Sequence, residues 1–152
     1  MINVFTDGAS SGNPGPGGYG VILRKGDHYK EIYEGFRKTT NNRMELLAVI
    51  VALESIKQPN QDVMVYSDSK YIIDAVEKKW LFGWIKKDFA GKKNKDLWMR
   101  FYQVYRKHRV SFTWVKGHAG HLENERCDTL AVHASKDRAN WKIDSVFEME
   151  NA

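Results

Sequence analysis

Three strand-like runs in succession, with a long apolar helix directly behind them, constrain this chain more than any other feature. Residues 2–7, 19–24 and 29–36 are rich in β-branched and aromatic side chains. Turn chemistry separates them: Ser10-Ser11-Gly12-Asn13-Pro14-Gly15-Pro16-Gly17-Gly18 after the first, Lys25-Gly26-Asp27 after the second. Short connections of this kind make consecutive strands antiparallel neighbours. Residues 42–56 then carry two apolar stripes, Met44, Leu47, Ala48 and Val51 on one, Leu46, Ile50 and Leu53 on the other, which predicts a helix buried over most of its surface. Strand patterns return at 63–67 and 110–115, and helical ones at 69–77, 96–107 and 122–136. A strand–helix–strand crossover is right-handed and returns parallel, so strands four and five fall in line beside strand one. The predicted fold is α/β, a five-stranded mixed sheet of order 3-2-1-4-5 with helices on both faces. Residues 1–137 form the one domain, and 138–152 a loosely attached C-terminal tail.

Composition narrows the class. The chain has 152 residues and a single cysteine, Cys127, so an internal disulfide is impossible and a reducing compartment is the simpler setting. The first residues lack the basic and apolar regions of a secretory signal, and no run reaches the length of a membrane span. A cytoplasmic protein without membrane attachment is expected. The 24 Lys and Arg outnumber the 19 Asp and Glu, a bias that suits a polyanionic partner.

The topology gathers four acids. Asp7 ends strand one and Asp68 follows strand four; Glu45 lies in the first turn of the helix after strand three, and Asp128 in the second turn of the helix after strand five. All four should reach the carboxyl edge of the parallel strands, where open α/β sheets bind ligands. Each has a structural alternative. Asp7-Gly8 suits a hairpin turn, Asp68 a helix cap, Glu45 a capping box with Asn42, and Asp128 a plain helix surface. The convergence favours chemistry, as does the repeated apolar–aromatic–hydroxyl–acid pattern in Val4-Phe5-Thr6-Asp7 and Val65-Tyr66-Ser67-Asp68. Clustered carboxylates need protons or cations to neutralise them, and oxygen ligands favour Mg²⁺ or Mn²⁺.

These motifs resemble a known family. The run from Thr6-Asp7-Gly8-Ala9 to Gly17-Gly18 is similar to the opening motif of bacterial type I ribonuclease H; Thr40-Asn41-Asn42-Arg43-Met44-Glu45-Leu46 and Tyr66-Ser67-Asp68-Ser69 resemble its second and third. Trp114-Val115-Lys116-Gly117-His118-Ala119-Gly120-His121 and Glu123-Asn124-Glu125-Arg126-Cys127-Asp128 resemble its C-terminal motifs. The likeness runs in order over nearly the whole chain except the tail. It implies the ribonuclease H-like fold and endonucleolytic hydrolysis of the RNA strand in RNA–DNA hybrids by a monomer. Two Mg²⁺ ions, with Mn²⁺ as a substitute, would act in catalysis, leaving 5′-phosphate and 3′-hydroxyl ends. By the same resemblance Asp7, Glu45, Asp68 and Asp128 bind metal and catalyse, and His118 helps proton transfer or product departure. Gly8, Asn13, Thr40, Asn41, Asn42 and Asn124 fall at substrate-contacting positions; amides near the acids suit a 2′-hydroxyl, though turn and cap chemistry also explains them. No separate hybrid-binding domain is evident.

The segment 78–95 is basic and aromatic. Its lysines, Lys86 and Lys87 among them, are expected to grip the DNA strand, while Trp80 and Trp84 partly anchor the segment. The loop after Phe89 is shorter than in better-known bacterial members of the family, and Lys70 stands where those members often carry glutamine. Other patterns lack their context. Gly15-x-Gly17-x-x-Gly20 leads into a strand rather than a helix, so it is not a dinucleotide fingerprint. His118, His121 and Cys127 do not make a four-ligand zinc set, and His133 belongs on a helix surface. A DNA nuclease or recombinase is the nearest competing reading; a non-catalytic binding module or an adaptor would leave the acids unexplained.

Overall fold

The computed structural model describes every residue except Ala119, Gly120 and the side chain of His118. Five strands form one sheet in the order β3-β2-β1-β4-β5. β1 (Ile2–Ser10), β2 (Gly15–Lys25) and β3 (His28–Thr39) pair antiparallel; β4 (Asp62–Ser67) runs parallel to β1, and β5 (Arg109–Trp114) parallel to β4. The expected α/β topology and sheet order are the observed ones. Among the described residues no helix is long and apolar enough to cross a membrane.

The alternation of side chains along each strand divides the core. Val4, Tyr19 and Val21 point to one face and join the main core with α1 (Asn41–Glu54) and α4 (Lys95–Tyr105). Helix α1 lies between sheet and α4, and each residue from Arg43 to Ile50 is buried, which is why its sequence shows two stripes rather than one. Phe5 and Ile22 point to the opposite face, where Cys127 of α5 (Leu122–Lys136) covers them.

Strand β2 starts four residues before its expected beginning, inside the glycine–proline run, with a bulge between Gly15 and Gly17. Those glycines are packing residues as well as turn residues. A Cβ on Gly20 would lie 2.4 Å from the carbonyl oxygen of Cys127, and one on Gly18 2.5 Å from that of Ala131. Helix α5 therefore rests directly on the sheet backbone.

The last fifteen residues depart from expectation. Instead of a loose tail, they form a short 3₁₀ turn (Arg138–Asn140), a bridge from Lys142 to Phe36 on the edge of β3, and α6 (Ser145–Glu150). Backbone bonds to β3 and the buried Phe147 help to hold them, and charge fastens them further. Asp144 accepts from Arg43 at 2.7 and 2.8 Å and from the Thr39 hydroxyl at 2.7 Å. Asp96 accepts from the other side of the same guanidinium at 2.8 and 2.7 Å. A tail without a strong apolar pattern is thus fastened by a buried ion pair that no local spacing announces.

Candidate active site and nucleic-acid interface

The acid site grows out of strand register. β1 and β4 pair as Val4↔Val65 and Phe5↔Tyr66, with the two aromatic rings stacked at 4.8 Å. Continuing that register brings Asp7 abreast of Asp68, so the repeated tetrapeptide pattern lies side by side in space. Glu45 arrives from the first turn of α1. It does not close a capping box: Thr40 caps the helix by accepting from the Arg43 N–H at 3.3 Å, and Glu45 instead accepts from the backbone N–H of Gly8. Gly8 permits this approach, since a Cβ there would sit 2.4 Å from the Glu45 nitrogen. Likewise Ser69, not Asp68, caps α2 (Lys70–Glu77), accepting from the Ile72 N–H at 3.3 Å. Two of the structural alternatives for the acids are thereby taken by their neighbours.

Carboxylate oxygens of Asp7, Glu45 and Asp68 lie within 4.8 Å of one another. Burial and the adjacent Asp68 charge push Asp7 up to about 8, and burial with the Asp7 and Asp68 charges holds Glu45 well above the usual carboxylate range. At about 4 Å two such charges repel by roughly 4 kcal/mol at an effective dielectric of 20. An all-oxygen donor set under this repulsion fits a hard divalent cation, which would replace the protons as the neutralising charge. Asp128, exposed on the second turn of α5, approaches Asp7 closely enough to raise its affinity for protons further. All four acids line one cavity of about 380 Å³.

The expected substrate contacts divide. Gly8, Asn41 and Asn42 line the acid cavity, and Thr40 and Asn13 line an adjoining one with Asn42. Asn13 also braces the backbone locally, since its Oδ1 accepts from the Asn41 N–H at 3.1 Å. Asn124 is fully buried, and its amide donates to the carbonyls of Thr6 and Tyr66 at 3.4 and 3.1 Å, tying α5 across β1 and β4. As placed, it supports the two acid-bearing strands rather than facing solvent. The side chain of His118, the expected fifth catalytic residue, lies outside the described residues.

The basic segment folds as α3 (Trp80–Lys86) followed by turns. Trp84 packs edge-to-face on Trp98 at 5.7 Å and Phe89 is buried, so these two rings attach the segment to the core. Trp80 is 47% exposed, and Lys86 and Lys87 are exposed beyond it. A third cavity, of about 480 Å³, opens between Asn42, Lys70, Trp80, Trp84, Lys92 and Lys93. Tyr71, which no sequence pattern singled out, lines the acid cavity too, as does Ser69, which the third motif contains without marking it as a site residue. The zinc alternative fails at Cys127, whose thiol is buried against the Phe5 carbonyl. His133 lies on the surface of α5 as expected.

A mixed sheet in this order, with buried carboxylates where β1 and β4 end their pairing, defines a nuclease of the ribonuclease H-like class. The family model for RNase H matches residues 1–136. A protein named Ribonuclease H from Shewanella amazonensis is 55% identical over 153 aligned positions, covering 97% of this chain and 96% of that one. Among solved structures, LC9-RNase H1, described as a type 1 RNase H with the type 2 active-site motif, superposes with a TM-score of 0.79 at 33% identity, covering 99% of this chain and 80% of that one. LC11-RNase H1 in complex with an RNA/DNA hybrid does so with a TM-score of 0.70 at 25% identity, over 91% of this chain and 99% of that one. This chain belongs to the RNase H family and is a ribonuclease H enzyme.

Proposed function

We propose that this enzyme cuts the RNA strand of RNA–DNA hybrids endonucleolytically, leaving 5′-phosphate and 3′-hydroxyl ends, with Asp7, Glu45, Asp68 and Asp128 as the catalytic, metal-holding acids. Bound there, two Mg²⁺ ions (or Mn²⁺ in their place) would supply an activated water and stabilise the leaving 3′-oxygen. The chain's own residues position everything else. The Gly8 N–H fixes the Glu45 carboxylate, and Asn124 holds the strands that carry Asp7 and Asp68. Asn41 and Asn42, exposed at the start of α1 beside the acids, suit a ribose 2′-hydroxyl, which can both donate and accept. Gly8, Asn13 and Thr40 complete the proposed substrate-side set, while Asn124, placed on that side by its motif, is buried and acts through the strands it holds. His118 aids proton transfer or product departure, while Trp80, Lys86 and Lys87 take the DNA strand.

The observation that carries this reading is the meeting of three acids, from β1, α1 and the end of β4, within 4.8 Å beside amide-bearing residues. Residues 1–137 constitute the catalytic domain, acting as a monomer in the cytoplasm. Cleavage of a hybrid labelled on its RNA strand, with Mg²⁺ and with chelator, tests it. RNA cleavage that needs the metal and is absent with duplex DNA and duplex RNA is the expected result. Equal cleavage of duplex DNA would instead favour the general DNA nuclease reading.

A further inference from the structure

Lys70 opens α2 two residues after Asp68, and it lines both the acid cavity and the basic-aromatic cavity. Its ammonium is not left to swing. It sits 4.1 Å from the centroid of the Trp114 ring. Trp114 pairs with Ser67 at the end of β5, and its indole N–H donates to the Asp68 carbonyl at 3.3 Å. The ring is therefore fixed by the same turn that presents Asp68, and it is 44% exposed, so its face offers a seat at the rim of the site. A lysine carries a large rotamer entropy that binding must overcome. A cation held over an indole has surrendered part of that entropy beforehand. Asp7, Glu45 and Asp68 fill the centre of the site with carboxyl groups, and among the described residues Lys70 is the cation that lines both it and the lysine-rich cleft.

We infer that Lys70, seated on Trp114, is a substrate-binding residue that engages a backbone phosphate of the bound hybrid at the junction of the two cavities. This rests on the hybrid-cleaving function proposed above. A neutral amide at this position contributes hydrogen bonds only, whereas an ammonium also releases a counterion when it meets a phosphate. The salt dependence of binding is thus the signature of the charge. Removing one such contact lowers the slope of log affinity against log salt by roughly 0.7–0.9. Over the tenfold step from 1 M to 0.1 M salt, this is about a sixfold loss of affinity at the lower concentration.

The test is anisotropy of a fluorescent RNA–DNA hybrid across a salt series, in an Asp7→Asn background that prevents turnover, alongside cleavage by the unmodified enzyme. Adding Lys70→Gln is expected to flatten the slope by that amount, and Lys70→Arg to restore it. Trp114→Leu keeps the charge but removes its seat, so affinity should fall about two- to fivefold with the slope retained. An unchanged slope in Lys70→Gln, with the unmodified enzyme still cleaving hybrid, overturns the role of Lys70 and leaves the proposed function standing. A slope lost in Lys70→Arg as well points to a structural defect and also overturns it. Failure of the unmodified enzyme to cleave hybrid would instead remove the function on which the inference rests.

Discussion

Replacing Arg43 with methionine should unfold this enzyme early, and the geometry sets the scale. The guanidinium donates to Asp144 at 2.7 and 2.8 Å and to Asp96 at 2.8 and 2.7 Å. Its side chain is 2% exposed, against 11% for Asp144 and 26% for Asp96. Methionine fills much of the volume but leaves two carboxylates facing each other across the lost cation. Removing one partner of a buried pair costs about 3–5 kcal/mol. For a domain of this length 1 kcal/mol corresponds to roughly 2–4 °C, so Tm should drop by about 6–20 °C. The loss should also depend on pH. Burial alone would raise the Asp96 carboxyl, but its bonds to Arg43 outweigh that and hold it below the usual range. A carboxyl depressed in the folded state contributes stability above its unfolded value, and that contribution fades as pH falls through the folded value. Thermal unfolding followed by circular dichroism at pH 7 and near pH 3, below the ordinary carboxyl value of 3.8, therefore should show a deficit that narrows in acid. A Tm within about 2 °C of the unmodified enzyme at pH 7 would refute the claim that Arg43 clamps the C-terminal segment to the domain.

Asp7→Asn is expected to abolish Mg²⁺-dependent cleavage while hybrid binding survives; near-normal turnover would remove Asp7 from the mechanism. The same variant bears on stability without metal. Asp7 rises from an ordinary 3.8 to about 8, so the folded state binds more protons than the unfolded one between those values and loses stability as pH rises through that window. In chelator at pH 8, Asp7→Asn should melt above the unmodified enzyme and show the shallower pH dependence; a lower Tm there would count against the repulsion. Gly20→Ala places a methyl 2.4 Å from the Cys127 carbonyl, and a cost of about 1–3 kcal/mol should appear as a lower urea midpoint. Replacing Lys86, Lys87, Lys92 and Lys93 together with glutamine should weaken hybrid binding and flatten its salt slope; an unchanged slope would exclude them as phosphate contacts.

The elements whose patterns repeat locally were the legible ones. Strand periodicity, the two stripes of α1 and the order of crossovers led to the sheet, and the twin tetrapeptides ending in Asp7 and Asp68 marked where β1 and β4 stop pairing, although β1 itself runs past Asp7 to Ser10. Other features stayed hidden because their causes are distant in sequence. Arg43 looks like part of a helix start until Asp96 and Asp144 are brought to it from 53 and 101 residues away. Glu45 satisfies the spacing of a capping box, yet its partner is Gly8, 37 residues earlier. Asn124 sits in a motif shared with Asp128, but the helical turn that exposes the aspartate buries the amide between strands. The glycines of β2 read as turn formers because turn preference is a local signal, whereas the close approach of α5 is a tertiary one.

Catalysis as proposed depends on divalent ions gathering where β1, α1 and β4 converge. Anomalous scattering from a crystal of the enzyme soaked in Mn²⁺ locates such ions without any assay of turnover. Peaks coordinated by Asp7, Glu45 and Asp68, and lost in an Asp7→Asn crystal, are the predicted result. Density that leaves this cluster vacant at saturating Mn²⁺, or that persists unchanged in the variant, would contradict it.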